Sequence, residues 1–152
     1  MKENETKFWI CDNCGEKIEN IEDGWVEWLE TKREDSIFNL YQGIRIVHRS
    51  KCNYDQHLVY NKHNAIVGDS DLESFSGADG LIDLLSFISE GYFDNNEELL
   101  EIIKRIHIPG YEEARPYFDE AIYEGVFEPN TKPGYYTQRN IQAVLDYIKK
   151  KK

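Results

Sequence analysis

The chain has 152 residues, of which 40% are hydrophobic and 31% charged, and its formal net charge is −11. This composition is that of a globular protein and argues against a disordered or collagen-like chain. No run approaches the ~18 consecutive apolar residues of a membrane-spanning helix, and the residues up to Lys7 lack the apolar core of a secretory signal. We therefore expect a cytoplasmic protein that does not contact a membrane.

Negative charge is concentrated in the second half of the chain. Residues 65–148 contain 5 basic and 17 acidic side chains, whereas residues 1–64 contain 9 basic and 12 acidic ones. Phosphate binding draws on clustered lysine and arginine, so the acidic half disfavours nucleic acid as a partner. A basic partner protein is one interpretation of this charge. The other, which we favour, is a solvated surface that keeps the protein soluble.

The first motif is a pair of cysteines with metal-ligand spacing. Cys11 and Cys14 are separated by two residues and followed by Gly15, which gives C-x-x-C-G after the apolar segment 8–10. This spacing lets two thiolates bind one metal ion from a tight turn, and a glycine can adopt the positive φ that turns backbone amides towards the sulfurs. The motif resembles the zinc knuckle of zinc ribbons, rubredoxin-like modules and treble clefs, which implies a zinc-binding architecture.

Three strands are predicted between this motif and the next candidate ligands. Residues 25–30, 36–41 and 44–48 are rich in β-branched and aromatic side chains, and such residues favour strands. A polar turn at 31–35 separates the first two, and Gln42-Gly43 separates the last two. The sequence therefore predicts a small antiparallel meander joined to the knuckle. Its candidate core residues are the three tryptophans, Trp9, Trp25 and Trp28.

A second pair of ligands follows the third predicted strand. His48 and Cys52 form an H-x-x-x-C pair, which with the first pair makes a Cys₃His set, a common structural zinc site. Thiolates with one imidazole favour zinc over magnesium or calcium. Four protein ligands leave no open position, which favours a structural over a catalytic ion. His57 is the alternative to this second pair, and His63, in a polar run, is a weaker candidate.

Two other interpretations of the cysteines remain open. A thioredoxin-like redox pair also follows an apolar strand, but it opens a helix, whereas here Gly15 and the turn signal Asp23-Gly24 follow. Alternatively, the cysteines are unrelated small core residues. Their number, three, argues against a disulfide framework. We favour one structural zinc ion per chain.

The pattern becomes helical after residues 61–78, a connector predicted as a linker or as one further strand. Beyond it, apolar residues recur at helical spacing in four segments. These segments are 81–88, 99–106, 117–122 and 141–148. We therefore predict an α+β protein, with a small antiparallel β zinc-binding module at 1–60 followed by a compact four-helix α domain, acidic in character, at 79–152.

The segment 108–118 is the least regular part of the second half. It contains Tyr111, Arg115 and Tyr117, and tyrosine and arginine dominate the energetics of protein interfaces. One interpretation is a groove for a partner protein. The other, which we favour, is that the aromatic rings close a small core.

These features predict a zinc-stabilised, non-enzymatic interaction protein that acts as an adaptor, regulator or inhibitor through a protein partner. A knuckle followed by an acidic helical tail resembles two-part proteins of low-GC Gram-positive bacteria and their phages, and this resemblance implies no particular function. The first alternative is a nucleic-acid-associated zinc-ribbon protein; its contacts would be Arg45, Arg49, Lys51 and Lys62. The second is a zinc-dependent hydrolase in which His57 or a water completes an open site, although the chain contains no H-E-x-x-H motif.

Overall fold

A computed structural model describes residues 6–34 and 37–151 of the chain. The chain divides into two compact units, one formed by residues 7–107 and the other by residues 108–151 together with Thr6. The predicted start of the second strand, Ser36, lies outside the described residues.

The first unit contains two antiparallel sheets. A two-stranded hairpin pairs β1 (Trp9–Ile10) with β2 (Lys17–Ile18). A three-stranded sheet has β3 (Gly24–Thr31) at its centre, between β4 (Leu40–His48) and β5 (Ile66–Asp71). The fifth strand lies inside the predicted connector, so of the two interpretations of that segment the structure has the strand.

Strand β4 is continuous where the sequence predicted two strands separated at Gln42-Gly43. Glu27 pairs with Arg45, but Leu29 pairs with Gln42, so β4 has one extra residue at this point. Gly43 lies there with φ 66°, a conformation that glycine adopts without a steric penalty. The prediction of a break was therefore wrong, because the glycine forms a β-bulge that bends the strand without ending it.

The described residues of the first unit also form a 3₁₀ helix (Ile21–Asp23) and four α-helices, which are α1 (Gln56–His63), α2 (Leu72–Phe75), α3 (Gly77–Ser89) and α4 (Asn96–His107). The sequence did not predict α1, because Val59 is its one buried residue and no apolar stripe marks it. Its start depends instead on Asp55, whose side chain accepts hydrogen bonds from the first-turn amides of the helix.

The core of the first unit joins the sheet to its helices. Trp28 on β3 lies 5.7 Å from Phe87 of α3 and 6.2 Å from Phe75 of α2, measured between ring centroids. Leu84 and Leu99, from α3 and α4, are fully buried in the same cluster. Helices α3 and α4 therefore pack on the sheet that also supports the metal ligands.

The second unit has its own aromatic core. The helices of this unit are α5 (Tyr111–Ala114), α6 (Phe118–Tyr123) and α7 (Gln138–Lys151), with a 3₁₀ turn between the first two. Phe118 packs against Tyr136 with ring centroids 4.7 Å apart. This core is separate from that of the first unit.

The observed architecture is an α+β fold, as predicted, with a β module preceding most of the helices. Each of the four predicted helical segments contains a helix. The division between the two compact units follows His107, and the domain bounds placed at residues 60 and 79 stay a prediction from the sequence. A helical stripe shows that one face is buried but not what buries it, and the stripes of α3 and α4 are buried by the sheet. Within the described residues, no helix combines the length and the apolar character needed to span a bilayer.

Adjacent leucines of α3 test this packing. Leu84 is fully buried and Leu85 is 45% exposed. We expect Leu84→Ala to lower the free energy of unfolding by about 2–5 kcal/mol, because it leaves a cavity beneath the sheet. The matched change Leu85→Ala should stay within about 0.5 kcal/mol of the wild type. Urea denaturation measures both, and equal effects would contradict the described core.

Candidate metal centre

The first two ligands lie in the turn of the β1–β2 hairpin. The backbone amide of Cys11 donates to Glu16 O at 2.9 Å, and that of Gly15 donates to Cys11 O at 2.9 Å. Gly15 has φ 79°, so the position favours the glycine that the sequence places there. These bonds close a tight turn that holds Cys11 and Cys14 close together.

Backbone amides surround the sulfur of Cys11. Burial raises the pKa of this thiol, but the amides of Cys14, Asn13 and His48 point at the sulfur and lower the pKa to about 6. The nitrogens of Asn13 and His48 each lie 3.4 Å from Sγ. The turn therefore stabilises Cys11 as a thiolate, which is the form that binds metals.

The thiol of Cys14 behaves in the opposite way. The amide of Glu16 lowers its pKa, but desolvation and the neighbouring sulfurs of Cys11 and Cys52 raise it, and the net shift is upward. The sulfurs of Cys11 and Cys52 can raise the pKa of Cys14 only because they are held close to it. A bound cation would relieve this repulsion, because it stabilises each thiolate.

The other two ligands come from the end of β4 and the loop after it. His48 is the last residue of the strand, and the amide of Cys52 donates to His48 O at 3.3 Å. Ser50, between them, has φ 73° and its amide donates to Asn53 Oδ1 at 2.6 Å. The side chain of Asn53 thus holds a loop whose conformation is uncommon for a serine and returns Cys52 towards His48.

Hydrogen bonding assigns the metal-facing nitrogen of His48. Its Nε2 lies 3.1 Å from the carbonyl oxygen of Lys17, an acceptor, so Nε2 carries the proton. Nδ1 is then free to act as a ligand, and it lies 3.4 Å from Cys14 Sγ and 3.8 Å from Cys52 Sγ. A carbonyl that orients a ligating histidine in this way is a common feature of metal sites.

The structure brings together all four residues that the sequence selected. One ligand atom from each of Cys11, Cys14, His48 and Cys52 lies within 4.8 Å of the others, so the group is placed to hold a metal ion. Cys11 and Cys52 are buried, His48 is half-buried and Cys14 is exposed. The centre is therefore anchored in the core and open to solvent on one side.

The reserve histidines lie elsewhere. His57 is exposed in the first turn of α1, where its amide donates to Asp55. His63 is exposed at the end of the same helix. Neither belongs to the four-residue group found among the described residues.

An ion pair between a buried arginine and a partly exposed aspartate supports the first ligand loop. Arg105 of α4, whose side chain is 2% exposed, donates from Nη1 to Asp12 Oδ2 at 2.7 Å and from Nη2 to Ile10 O at 2.9 Å. The same carboxylate oxygen accepts from the amide of Ile46 at 2.8 Å. Asp12 thus ties the C-x-x-C turn both to a helix and to strand β4.

A second ion pair supports the other ligand loop. The carboxylate of Glu27 on β3 is fully buried and accepts from Arg45 Nε at 2.8 Å. It also accepts from Asn53 Nδ2 at 3.0 Å and from the amide of Tyr54 at 2.9 Å. Arg45 in turn donates from Nη2 to Cys52 O at 3.1 Å. The loop that carries Cys52 is therefore held from the strand side.

Asp12 and Glu27 are not among the site residues predicted from the sequence. Asp12 is placed between the two cysteines, and Glu27 and Arg45 are the kind of opposite charges that pair across adjacent strands. The pairing of Glu27 with Arg45 could have been predicted from the sequence, but only with the correct register of β3 against β4. That register depends on the bulge at Gly43, which the sequence analysis treated as a break.

The candidate partner-binding residues have different environments in the second unit. Tyr111 is 3% exposed and stacks near Phe118, with ring centroids 5.5 Å apart. Arg115 Nε lies 3.8 Å from the buried carboxylate of Glu112. Tyr117 is 37% exposed. Tyr111 is therefore a core residue, whereas Tyr117 is the more exposed of the two tyrosines.

Comparison with known proteins gave no match, whether with models of protein families, with curated proteins or with solved structures.

Single substitutions test which residues hold the metal. We expect His48→Ala and Cys52→Ser each to reduce the metal content of the purified protein well below that of the wild type, because each removes one of four ligands. His57→Ala is the matched control and should keep the wild-type content. Elemental analysis of each variant measures this. Metal lost on His57→Ala but kept on His48→Ala would contradict the assignment.

Proposed function

We propose that this protein is a zinc-stabilised, non-enzymatic interaction module that works through a protein partner in the cytoplasm. The observation that carries the zinc part is the group of three sulfurs and one imidazole nitrogen within 4.8 Å of one another. Soft thiolates with an imidazole select zinc rather than magnesium or calcium.

The separations of the ligand atoms fit a tetrahedral zinc ion. Zn–S bonds of about 2.3 Å and Zn–N bonds of about 2.0–2.1 Å in a tetrahedron place sulfur and nitrogen about 3.5 Å apart. His48 Nδ1 lies 3.4 Å from Cys14 Sγ and 3.8 Å from Cys52 Sγ. Zinc binding thus requires only small movements of side chains that are already gathered.

A structural ion is favoured over a catalytic one because the chain offers four protein ligands. A catalytic zinc keeps a position for water and has three protein ligands in the usual case. The nearest carboxylate along the chain, Asp12, is engaged by Arg105 and by the amide of Ile46. A carboxylate held in this way is poorly suited to serve as the base of a hydrolytic site.

Exposed apolar side chains support the interaction part of the proposal. On α3, Ile82 is 63% exposed and Leu85 is 45% exposed, and in the second unit Tyr123 is 88% exposed and Tyr117 37%. Side chains of this kind gain free energy when a partner covers them. Purification of the tagged protein from its own host, with both proteins and nucleic acids identified, tests this part. A protein partner that is retained by the wild type and lost on Tyr117→Ala or Ile82→Ser supports it, whereas recovery of nucleic acid alone contradicts it.

Zinc removal is the first quantitative test. We expect one zinc ion per chain, and we expect a chelator to lower the melting temperature, because a ligand that binds the folded state stabilises it. A free zinc concentration of 100 times the Kd corresponds to about 2.7 kcal/mol, or about 10 °C for a unit of this size.

The control for zinc removal is a chain without the C-x-x-C ligands, Cys11→Ser with Cys14→Ser. It should melt at the metal-free temperature whether or not the chelator is present. Calorimetry or circular dichroism follows both melts. A wild-type protein that contains no zinc, or whose melting temperature is the same with and without chelator, would contradict the proposal.

The nucleic-acid alternative uses the four basic residues Arg45, Arg49, Lys51 and Lys62, and the structure bears on their availability. The guanidinium of Arg45 pairs with the buried carboxylate of Glu27, so it is committed to the fold. Arg49, Lys51 and Lys62 are exposed. Three cations on a chain of net charge −11 make few phosphate contacts, and each contact contributes only about −0.9 to the salt slope of duplex binding.

We therefore expect no appreciable binding of duplex DNA or RNA at ~150 mM salt, where surface charges are screened within about 8 Å. A mobility-shift titration measures this. Tight retention that is lost on Arg49→Ala with Lys51→Ala would reverse the ranking of the two functions. Binding that those changes leave intact would point to another surface and would also contradict the expectation.

A further inference from the structure

Each of the two ion pairs next to the metal centre holds one of the two loops that carry its ligands. Asp12 with Arg105 holds the loop of Cys11 and Cys14, and Glu27 with Arg45 holds the loop that carries Cys52. Each carboxylate also accepts a hydrogen bond from a backbone amide of another segment. Each ligand pair is thus fixed to the core by a carboxylate that is not itself a metal ligand.

We propose that Asp12 and Glu27 are positioning residues of the metal centre, which hold the two ligand pairs at binding distance before a metal ion arrives. The proposal rests on the zinc-binding function above. It assigns to these residues a share of the metal affinity in addition to their share of the fold.

The contacts of Asp12 carry the first part of the argument. Its backbone amide donates to Ile46 O at 2.8 Å while its side chain accepts from the amide of Ile46 at 2.8 Å. This two-point contact fixes the turn against β4 two residues before His48. The carboxylate, which is 27% exposed, faces the guanidinium of Arg105, whose side chain is 2% exposed, so the arginine is paired where little water reaches it.

The contacts of Glu27 carry the second part. Its carboxylate has no exposed surface and receives hydrogen bonds from Arg45, Asn53 and the amide of Tyr54. The side chain of Asn53 also accepts a hydrogen bond from the amide of Ser50, the loop residue with φ 73°. Glu27 thus stabilises, through Asn53, the uncommon backbone conformation that brings Cys52 to the metal centre.

Stability alone is a weak explanation for these pairs. Burial of Arg105 and of Glu27 costs hydration free energy that offsets much of the attraction within each pair, and apolar residues of similar size often stabilise a fold as well or better. Outer contacts that orient metal ligands, by contrast, raise metal affinity, and their loss typically weakens binding about 10–100-fold. Placing the ligands is therefore the role that accounts for two such pairs at this one site.

The experiment compares Asp12→Asn and Glu27→Gln with Asp69→Asn. Asp69 lies opposite Glu27 on β5 but is exposed, so its change removes a neighbouring charge without touching either ligand loop. Zinc affinity is measured by competition with a chelator of known affinity, on protein shown to be folded by circular dichroism. We expect the first two variants to bind zinc about 10–100-fold more weakly and the control to bind it as the wild type does.

Two further readouts separate positioning from a purely structural role. Substitution of a purely structural residue lowers the melting temperatures of the zinc-loaded and zinc-free forms equally. Substitution of a positioning residue lowers the melting temperature of the zinc-loaded form more, and so reduces the difference between the two forms. The visible absorption of the cobalt(II)-substituted protein reports tetrahedral Cys₃His ligation and should weaken in the two variants but not in Asp69→Asn. Should Glu27→Gln fail to fold, Asn53→Ala removes the side-chain bonds from Asn53 to Glu27 and to the amide of Ser50, and it leaves the Glu27–Arg45 pair and the Tyr54 amide bond in place. It should weaken zinc binding at least about 3-fold.

The outcomes distinguish this proposal from the one on which it rests. Wild-type protein that binds no zinc overturns both. Wild-type protein that binds zinc, with affinity and cobalt spectrum unchanged in Asp12→Asn, Glu27→Gln and Asn53→Ala, overturns only the positioning role. The positioning role is supported if the folded variants bind zinc more weakly and show a smaller difference between the melting temperatures of their zinc-loaded and zinc-free forms.

Discussion

The hydrogen bonds between Asp12 and Ile46 are the interaction on which the metal centre depends. They join segments 34 positions apart in the chain, and they dock the C-x-x-C turn on the strand that ends in His48. A metal ion can bind four ligands at once only where the fold has already brought them within a few ångströms. The docking achieves this with backbone and carboxylate groups, and the amide of His48 then points at the sulfur of Cys11.

The surroundings of the metal centre combine a buried charge, which is unfavourable in free energy, with an apolar core, which is favourable. Burying an ion costs several kcal/mol even when a partner is present, and the carboxylate of Glu27 has no exposed surface. The sheet and helices around it form an apolar core that includes Trp28 and Leu84. Because such a core supplies stability without buried charge, the ion pairs are better explained by where they place the ligand loops. Under the positioning proposal, the apolar core stabilises the first unit and the ion pairs place the candidate ligands.

The group of four side chains that could hold a metal ion was predictable from sequence, but the contacts that hold the group together were not. Spacing alone identified the C-x-x-C and H-x-x-x-C pairs, because two ligands on one tight turn must lie close in the chain. The support from Arg105 comes from a helix more than 90 positions further along, and no local pattern announces such a contact. For the same reason the apolar stripes of α3 and α4 predicted helices correctly but not the sheet on which they pack. Helix α1 depends on one capping aspartate, Asp55, rather than on a stripe.

The most direct test of this account is zinc-edge X-ray absorption of the protein purified without added metal. The geometry of Cys11, Cys14, His48 and Cys52 predicts a four-coordinate ion with three sulfur ligands at about 2.3 Å and one nitrogen at about 2.0–2.1 Å. A spectrum with fewer sulfurs and an added oxygen ligand would indicate an open site, and the absence of a zinc edge would indicate no zinc site. Either result would contradict a closed, structural zinc centre.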